Sequence, residues 1–193
     1  MISNKAIFKF IAIAFGVYFL STILVSQLGL ERGVSDMTRG FASTIFPKVE
    51  WVSNYQPNQS KIHGPDIDVK VLTEVKGQRF QGVGKLTSRT KVLVPFIVLL
   101  SLILATPVSL KHKLIALGLG TLVFLIYMML MFRWTVGYVE KVTGGADITK
   151  LWFGQVFNTN IGFMTILPTV IWAAVTLWAV DWEKLKADSV TFD

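Results

Sequence analysis

Cysteine is absent from the 193 residues, and charged side chains are scarce at 16%. Without cysteine there is no disulfide, no thiolate metal site, no cysteine nucleophile and no attachment point for c-type haem. A soluble domain carries about 25% charged residues, because its water-facing surface must be polar. The shortage of charge therefore argues against a soluble globular domain.

Acidic residues are absent from four apolar blocks, in which most of the hydrophobic residues (52% of the chain) are concentrated. A hydrocarbon core about 30 Å thick is crossed by roughly 20 residues of α-helix. The blocks, and so the predicted membrane-spanning helices, cover residues 7–28, 92–110, 114–132 and 161–180. We therefore predict a membrane all-α fold, a four-transmembrane-helix bundle that forms one domain over residues 1–193. The first block is longer than the apolar region of a signal peptide, which has about 7–15 residues, so we predict an uncleaved membrane anchor.

Three basic residues, Lys111, His112 and Lys113, separate the second block from the third. So short a connection predicts an antiparallel transmembrane hairpin that turns at these residues. Pro107 is expected to bend or end the second helix, and Pro168 is expected to kink the fourth, because proline removes a helical hydrogen bond.

The main polar region, residues 29–91, separates the first helix from this hairpin. Its segment 36–52 is weakly amphipathic and is predicted to lie along the membrane surface. Alternation of apolar and polar residues then predicts a β-hairpin over residues 66–86, with its turn at Lys76, Gly77 and Gln78. An isolated hairpin is marginally stable, so it must pack on the helices, on further strands or on a partner. Gly82 and Gly84 are interpreted as a bulge or twist in the second strand.

A second polar loop, residues 133–160, is predicted to contain a short interfacial helix over 148–157, and residues 181–193 form a polar tail. Counting all lysines and arginines would place both loops in the cytoplasm. Around the first helix the balance of positive charge reverses, because Lys5 precedes the helix and Lys9 lies near its start, whereas the charges after it cancel. The first helix usually dominates, so we predict cytoplasmic termini, extracytoplasmic loops and a multi-pass protein of the bacterial inner membrane.

Few residues are candidates for catalysis, metal binding or ion transport. The two histidines, His63 and His112, are predicted to lie on opposite membrane faces, so we expect no metal site and no cofactor. No aspartate or glutamate falls inside the apolar blocks, whereas pumps and ion-coupled carriers need ionisable groups at membrane depth. The net charge of +7 is expected at helix ends and lipid headgroups, not on nucleic acid.

Two sets of residues are predicted to make contacts. Small residues that let helices approach closely are predicted at Ala116, Gly120, Ala173 and Ala174. Aromatic residues of the polar regions are predicted to form a surface for other integral membrane subunits: Phe41, Phe46, Trp51, Phe80, Trp152 and Phe153.

A family resemblance rests on short motifs. The sequence Leu104-Ala105-Thr106-Pro107 is followed at once by the basic triplet, and Leu167-Pro168-Thr169 lies inside the last apolar block. With the anchor helix and the strand-rich loop, this order resembles the small exosortase-associated membrane proteins of the exosortase H-associated type. The resemblance implies an accessory role in a bacterial inner-membrane system that sorts and anchors exported proteins. Exosortases themselves resemble a cysteine transpeptidase, which a chain without cysteine cannot be.

The sequence therefore predicts a non-enzymatic accessory or structural subunit of a larger membrane assembly. One alternative is an oligomeric transport or channel component, with a path lined by hydroxyls and glycines. A second is a lipid- or quinone-handling membrane enzyme that uses polar groups near the interface: Arg133, Trp134, Tyr138 and Glu140.

Overall fold

The computed structural model describes residues 4–53, 66–75, 77–144 and 161–177. This part of the chain is mostly helical and carries a small antiparallel sheet, as the sequence predicts. Its elements, in chain order, are α1 (Asn4–Gln27), α2 (Leu30–Ile45), β1 (Glu50–Ser53), β2 (Ile67–Val75), β3 (Gln78–Leu86), a π-helix (Arg89–Leu93), α3 (Val94–Ala105), α4 (Leu110–Thr143) and α5 (Ile161–Thr176).

Two of the described helices have the length and composition of a membrane span, Ile7–Gln27 and Leu110–Thr143. None of the most apolar stretch of α1 is buried in the protein, and a third of that of α4 is. Between Lys111 and Arg133, about 33 Å apart at 1.5 Å per residue, the exposed residues of α4 are apolar or glycine. A stretch of this length and surface suits the hydrocarbon core of a bilayer.

Two shorter apolar helices, α3 and α5, pack against this pair. α3 is central, because it contacts α1, α4 and α5, and its Ile97, Leu99 and Ile103 are at most 5% exposed. Pro168 lies inside α5, within the fourth predicted block.

The connection between α3 and α4 lies at residues 106–109, earlier than the predicted turn at the basic triplet. Thr106 is extended at φ −63° and ψ 132°, as is favoured for a residue before proline. The Ser109 side chain then caps α4 by accepting the His112 backbone N–H at 3.5 Å. Lys111, His112 and Lys113 therefore form the first turn of α4, so the prediction of a turn there is wrong.

The long helix α4 also continues to Thr143, so the loop predicted from residue 133 begins as helix. The extra turns bury Val136 and Val139, which are 2% and 4% exposed. Val139 faces the sheet, because its methyl groups lie next to Gly82 and Gly84 of β3, and α4 contacts both β2 and β3. Tertiary contact with the sheet, and not local apolar length, explains why the helix does not end at residue 132.

The predicted hairpin is confirmed as β2 and β3, joined at a turn in which Gly77 has a φ of 77°. The sequence analysis missed β1, which pairs antiparallel with β2 to give the sheet order β1-β2-β3. The segment predicted as one amphipathic stretch over 36–52 is divided between the end of α2 and β1. The predicted helix over 148–157, Trp152, Phe153 and the tail lie outside the described residues.

Candidate functional site at the junction of the sheet and α4

The inner face of the sheet lies against the extension of α4. Its side chains Trp51, Ile67, Val69, Val71 and Leu86 are at most 6% exposed. This face supplies the packing that an isolated hairpin lacks.

Two glycines on β3 allow the close approach of strand and helix. A Cβ atom on Gly82 would lie 2.0 Å from Thr143 Oγ1 and 2.7 Å from Val139 Cγ1, and one on Gly84 would lie 2.5 Å from Val139 Cγ2. The ladder is continuous here, with Val71 opposite Gly82 and Val69 opposite Gly84. The prediction of a bulge is therefore wrong, and the glycines instead leave space for the α4 side chains.

An aromatic cluster joins α2, the sheet and α4. The Trp51 and Phe132 rings meet edge to face with centroids 5.4 Å apart, and Phe41 lies 6.2 Å from Phe132. The Phe46 ring lies 6.5 Å from that of Trp51. Trp51 is 6% exposed, so its prediction as a partner-surface residue is corrected: it packs inside the protein. Phe41 and Phe46 are partly buried against the same core. Phe80 is 43% exposed and stays at the surface.

A cavity of about 200 Å³ opens between β3, the π-helix and α4. Its lining residues are Val83, Gly84, Lys85, Leu86, Lys91, Met131, Trp134, Thr135, Tyr138 and Val139. Among the described residues, this lining contains two lysines and no acidic residue, together with two large aromatic side chains. Such a cavity suits a small anionic group.

Lys91 is the half-buried cation of this cavity. Burial lowers the pKa of its ammonium group from 10.5, because a charged amine loses hydration inside the protein. The Thr135 hydroxyl donates to the Met131 carbonyl oxygen at 2.9 Å, so it offers a ligand only lone pairs. The lining residues that carry donor groups for a ligand are therefore the lysines, Tyr138 with its hydroxyl and Trp134 with its indole N–H.

The π-helix that carries Lys91 is fastened at its start. One carboxylate oxygen of Asp66 accepts the Ser88 backbone N–H at 2.7 Å, and the other accepts the Ser88 hydroxyl. Arg89 pairs with Glu31 of α2 at 3.2 Å, and both side chains are less than a third exposed. Asp66 is thus a structural anchor for the start of the π-helix.

The other predicted contact residues lie among the apolar helices. Gly120 faces α3, where an added Cβ would be 3.4 Å from Ile103 Cδ1, and Ala116 is 2% exposed. Ala173 is half-buried and Ala174 is exposed.

A polar contact joins α5 to the α3–α4 connection, at the end of α3 remote from the sheet. The Trp172 indole N–H of α5 donates to Thr106 Oγ1 at 2.7 Å, and that hydroxyl donates to the Leu102 carbonyl at 2.7 Å. The Trp172 ring also lies 5.6 Å from that of Phe10 on α1. α1, α5 and the α3–α4 connection therefore meet at one point, which includes the threonine of the Leu104-Ala105-Thr106-Pro107 motif.

Of the four polar residues predicted near the interface, Trp134 and Tyr138 line the cavity. Arg133 and Glu140 are exposed and are not part of its lining. Lys91 and the two glycines were not predicted as site residues. A lysine directly before an apolar block, and glycines at alternate positions of a strand, are the signals that were available.

The described residues contain no group of three or more histidine and acidic side chains placed to hold a metal ion. His63 lies outside these residues, and His112 Nδ1 lies 2.7 Å from Ser109 Oγ. No family model, no curated protein and no solved structure matches the chain.

Proposed function

We propose that this protein is a four-span membrane protein and a non-enzymatic accessory subunit of a larger membrane assembly. The observation that carries the proposal is the fixed position of the sheet. It packs on α4 directly beyond the apolar stretch that ends at Arg133, and its outer face is exposed. A module held in this way presents one surface to a neighbour at a constant height above the bilayer.

The chain order supports four crossings. α1 leads to α2 and the sheet, α3 returns from the sheet to the 106–109 connection, and α4 runs back to the level of the sheet. α5 packs on α3 and α4 and reaches the connection through Trp172. In this proposal the termini are cytoplasmic, the sheet is extracytoplasmic and the membrane is a bacterial inner membrane.

The outer face of the sheet offers an apolar spot with a charged border. Leu72 and Val83, which are 72% and 55% exposed, are diagonal neighbours on adjacent strands. Lys70 beside them pairs with Glu50 at 2.9 Å. Apolar contact within a polar rim is typical of protein interfaces, so this face is the proposed contact with another integral membrane subunit.

The resemblance to exosortase-associated proteins supports the same role, in the sorting or anchoring of exported proteins. The transport alternative is less favoured, because hydroxyls within the helices are used locally. Thr22, Ser101 and Thr176 each donate to the carbonyl four residues earlier. Hydroxyls engaged in this way offer little to line a conduction path.

The test is extraction from native membranes in mild detergent, followed by native gel electrophoresis and mass spectrometry. The wild type should migrate in a complex with a defined integral membrane protein. Leu72→Asp should release it as the free chain, because a charge then replaces the apolar centre of the contact. Val142→Asp is the control, since Val142 is 44% exposed on α4 away from this face.

Two results would contradict the proposal. One is a wild-type protein that extracts alone, without a stoichiometric partner. The other is a complex that survives Leu72→Asp and Val83→Asp together.

A further inference from the structure

We propose that the cavity between β3, the π-helix and α4 binds the phosphate of an anionic lipid headgroup, with Lys91 as the main cation. This inference rests on the membrane embedding in the proposed function, but it requires neither a partner subunit nor a particular orientation.

The electrostatics of the cavity favour an anion. The part of its lining that the structure describes includes Lys85 and Lys91 and no carboxylate. Lys85 lies opposite Asp68 in the β2–β3 ladder, and strand alternation places its side chain on the outer face of the sheet with Val83, so Lys91 is the main cation of the cavity. Lys91 is half-buried, and a cation that has lost hydration gains more from a phosphate than an exposed one does.

The depth of the cavity favours a lipid over a soluble anion. Met131 in its lining precedes Arg133, the residue at which the exposed apolar surface of α4 ends. Lys91 directly precedes Val92, the first residue of the second apolar block. The cavity thus spans the boundary between hydrocarbon and headgroups, where lipid phosphates lie.

The aromatic lining suits the same depth. Trp134 and Tyr138 follow Arg133 on α4 and border the cavity, and such side chains prefer the membrane interface. Leu86 and Val139 complete an apolar wall against which the glycerol and the upper acyl chain can pack. A free phosphate ion would make no use of that wall.

The binding test uses native mass spectrometry and thermal unfolding of the full chain in detergent. The probes are phosphatidylglycerol, phosphatidylcholine and inorganic phosphate. Phosphatidylglycerol should bind and raise the unfolding temperature, whereas inorganic phosphate at the same concentration should do neither. Lys91→Gln should weaken phosphatidylglycerol binding about tenfold, the effect expected for the loss of one charge-assisted hydrogen bond.

Three variants serve as controls. Lys91→Arg keeps the charge and should bind within about twofold of the wild type. Lys141→Gln removes an exposed α4 lysine that is not part of the lining, so it measures non-specific attraction and should leave binding unchanged. Tyr138→Phe should weaken binding less than Lys91→Gln, and far-ultraviolet circular dichroism of each variant confirms that it is folded.

Equal binding of the two lipids, or unchanged binding by folded Lys91→Gln, would overturn the inference. Stabilisation by inorganic phosphate equal to that by phosphatidylglycerol would overturn the lipid assignment in favour of a free-phosphate site. Carbonate extraction of membranes tests the embedding separately, so an embedded protein without lipid selectivity would refute only the present inference.

Discussion

Single residues at the sheet–helix junction decide whether the two elements can meet. Gly82 and Gly84 lie where a methyl group would overlap the side chains of Thr143 and Val139. Lys91 lies where a charge loses part of its hydration. The first feature stabilises the fold by permitting close packing. The second costs stability, and the proposed lipid binding would offset that cost.

Gly84→Ala should destabilise the protein by about 1–3 kcal/mol, because its new methyl group overlaps Val139. Chemical unfolding followed by circular dichroism measures the change. Gly118→Ala is the matched control, since an added Cβ there meets nothing within 4 Å and alanine favours the helix. If overlap is the cause, Val139→Ala should recover part of the loss in the double variant.

Lys91→Met should raise the unfolding temperature in lipid-free detergent near pH 8, because it removes a partly desolvated charge. The folded-state pKa is lowered from 10.5, so between the folded and unfolded pKa values the unfolded chain binds more protons. Wild-type stability should therefore rise with pH in that window. The advantage of Lys91→Met should shrink as the pH approaches 10.5, and a pH-independent difference would contradict this explanation.

Two connections set the arrangement of the helical elements. The α3–α4 connection is fixed by Pro107, by the Ser109 cap and by the Trp172–Thr106 hydrogen bond. The β3–α3 connection is fixed by Asp66, which lies directly before β2 and accepts the Ser88 backbone N–H at the start of the π-helix. The Trp172–Thr106 and Asp66–Ser88 contacts each join elements that are distant in sequence. Loss of either contact should therefore loosen docking and leave the helices themselves intact.

Thr106→Val should cost about 1–2 kcal/mol, because it leaves the Trp172 N–H without its acceptor. In a Trp172→Phe background the same change should cost much less, since no N–H remains to be satisfied. Thermal unfolding of the four proteins gives the coupling energy. Thr22→Val is the control, because the Thr22 hydroxyl bonds only within its own helix.

Asp66→Ala should cost about 1–2 kcal/mol, because it removes both acceptors of Ser88. Asp36→Ala should cost less than about 0.5 kcal/mol, because its pairs with Arg32 and Arg39 are exposed and 3.7–3.9 Å long. Hydrogen exchange at the start of the π-helix would show whether the effect of Asp66→Ala is local. Equal losses for the two variants would contradict an anchoring role for Asp66.

At the scale of the whole molecule, α4 connects the apolar helices with the sheet. Its first part has an apolar outer surface, and its last turns pack on the sheet. In the proposed arrangement, the connection before α4 and the sheet beside its end lie on opposite sides of a membrane. The absence of cysteine allows this arrangement to be tested on an otherwise unmodified chain.

Single cysteines should react with a membrane-impermeant maleimide according to their side of the membrane. Leu72→Cys, on the sheet, should react in intact cells, whereas Lys111→Cys, at the start of α4, should react only after permeabilisation. Leu122→Cys, which is in the apolar stretch, should stay unreactive in both conditions. Labelling of Leu72→Cys and Lys111→Cys from the same side would contradict the odd number of crossings between them.

The sequence was most informative where one local rule decides the structure. Period-two alternation located β2 and β3, and apolar length located α1 and most of α4. Prediction from the sequence failed where a contact between residues distant in the chain decides the structure. Trp51 was assigned to a surface because nothing near it in sequence indicates that Phe132 will cover it, and β1 was missed because four residues carry too little pattern.

The sequence by itself determined the apolar helices, the hairpin and the exclusion of cysteine chemistry, because these follow from composition, residue spacing and short-range geometry. The tertiary structure alone decided the end of α4, the role of the paired glycines and the cavity around Lys91. Those features depend on the contact between β3 and α4, which lie far apart in the chain. The shortage of charged residues could be interpreted from the sequence, because it predicts apolar helices. The environment of Lys91 could be recognised only from the residues that fold around it.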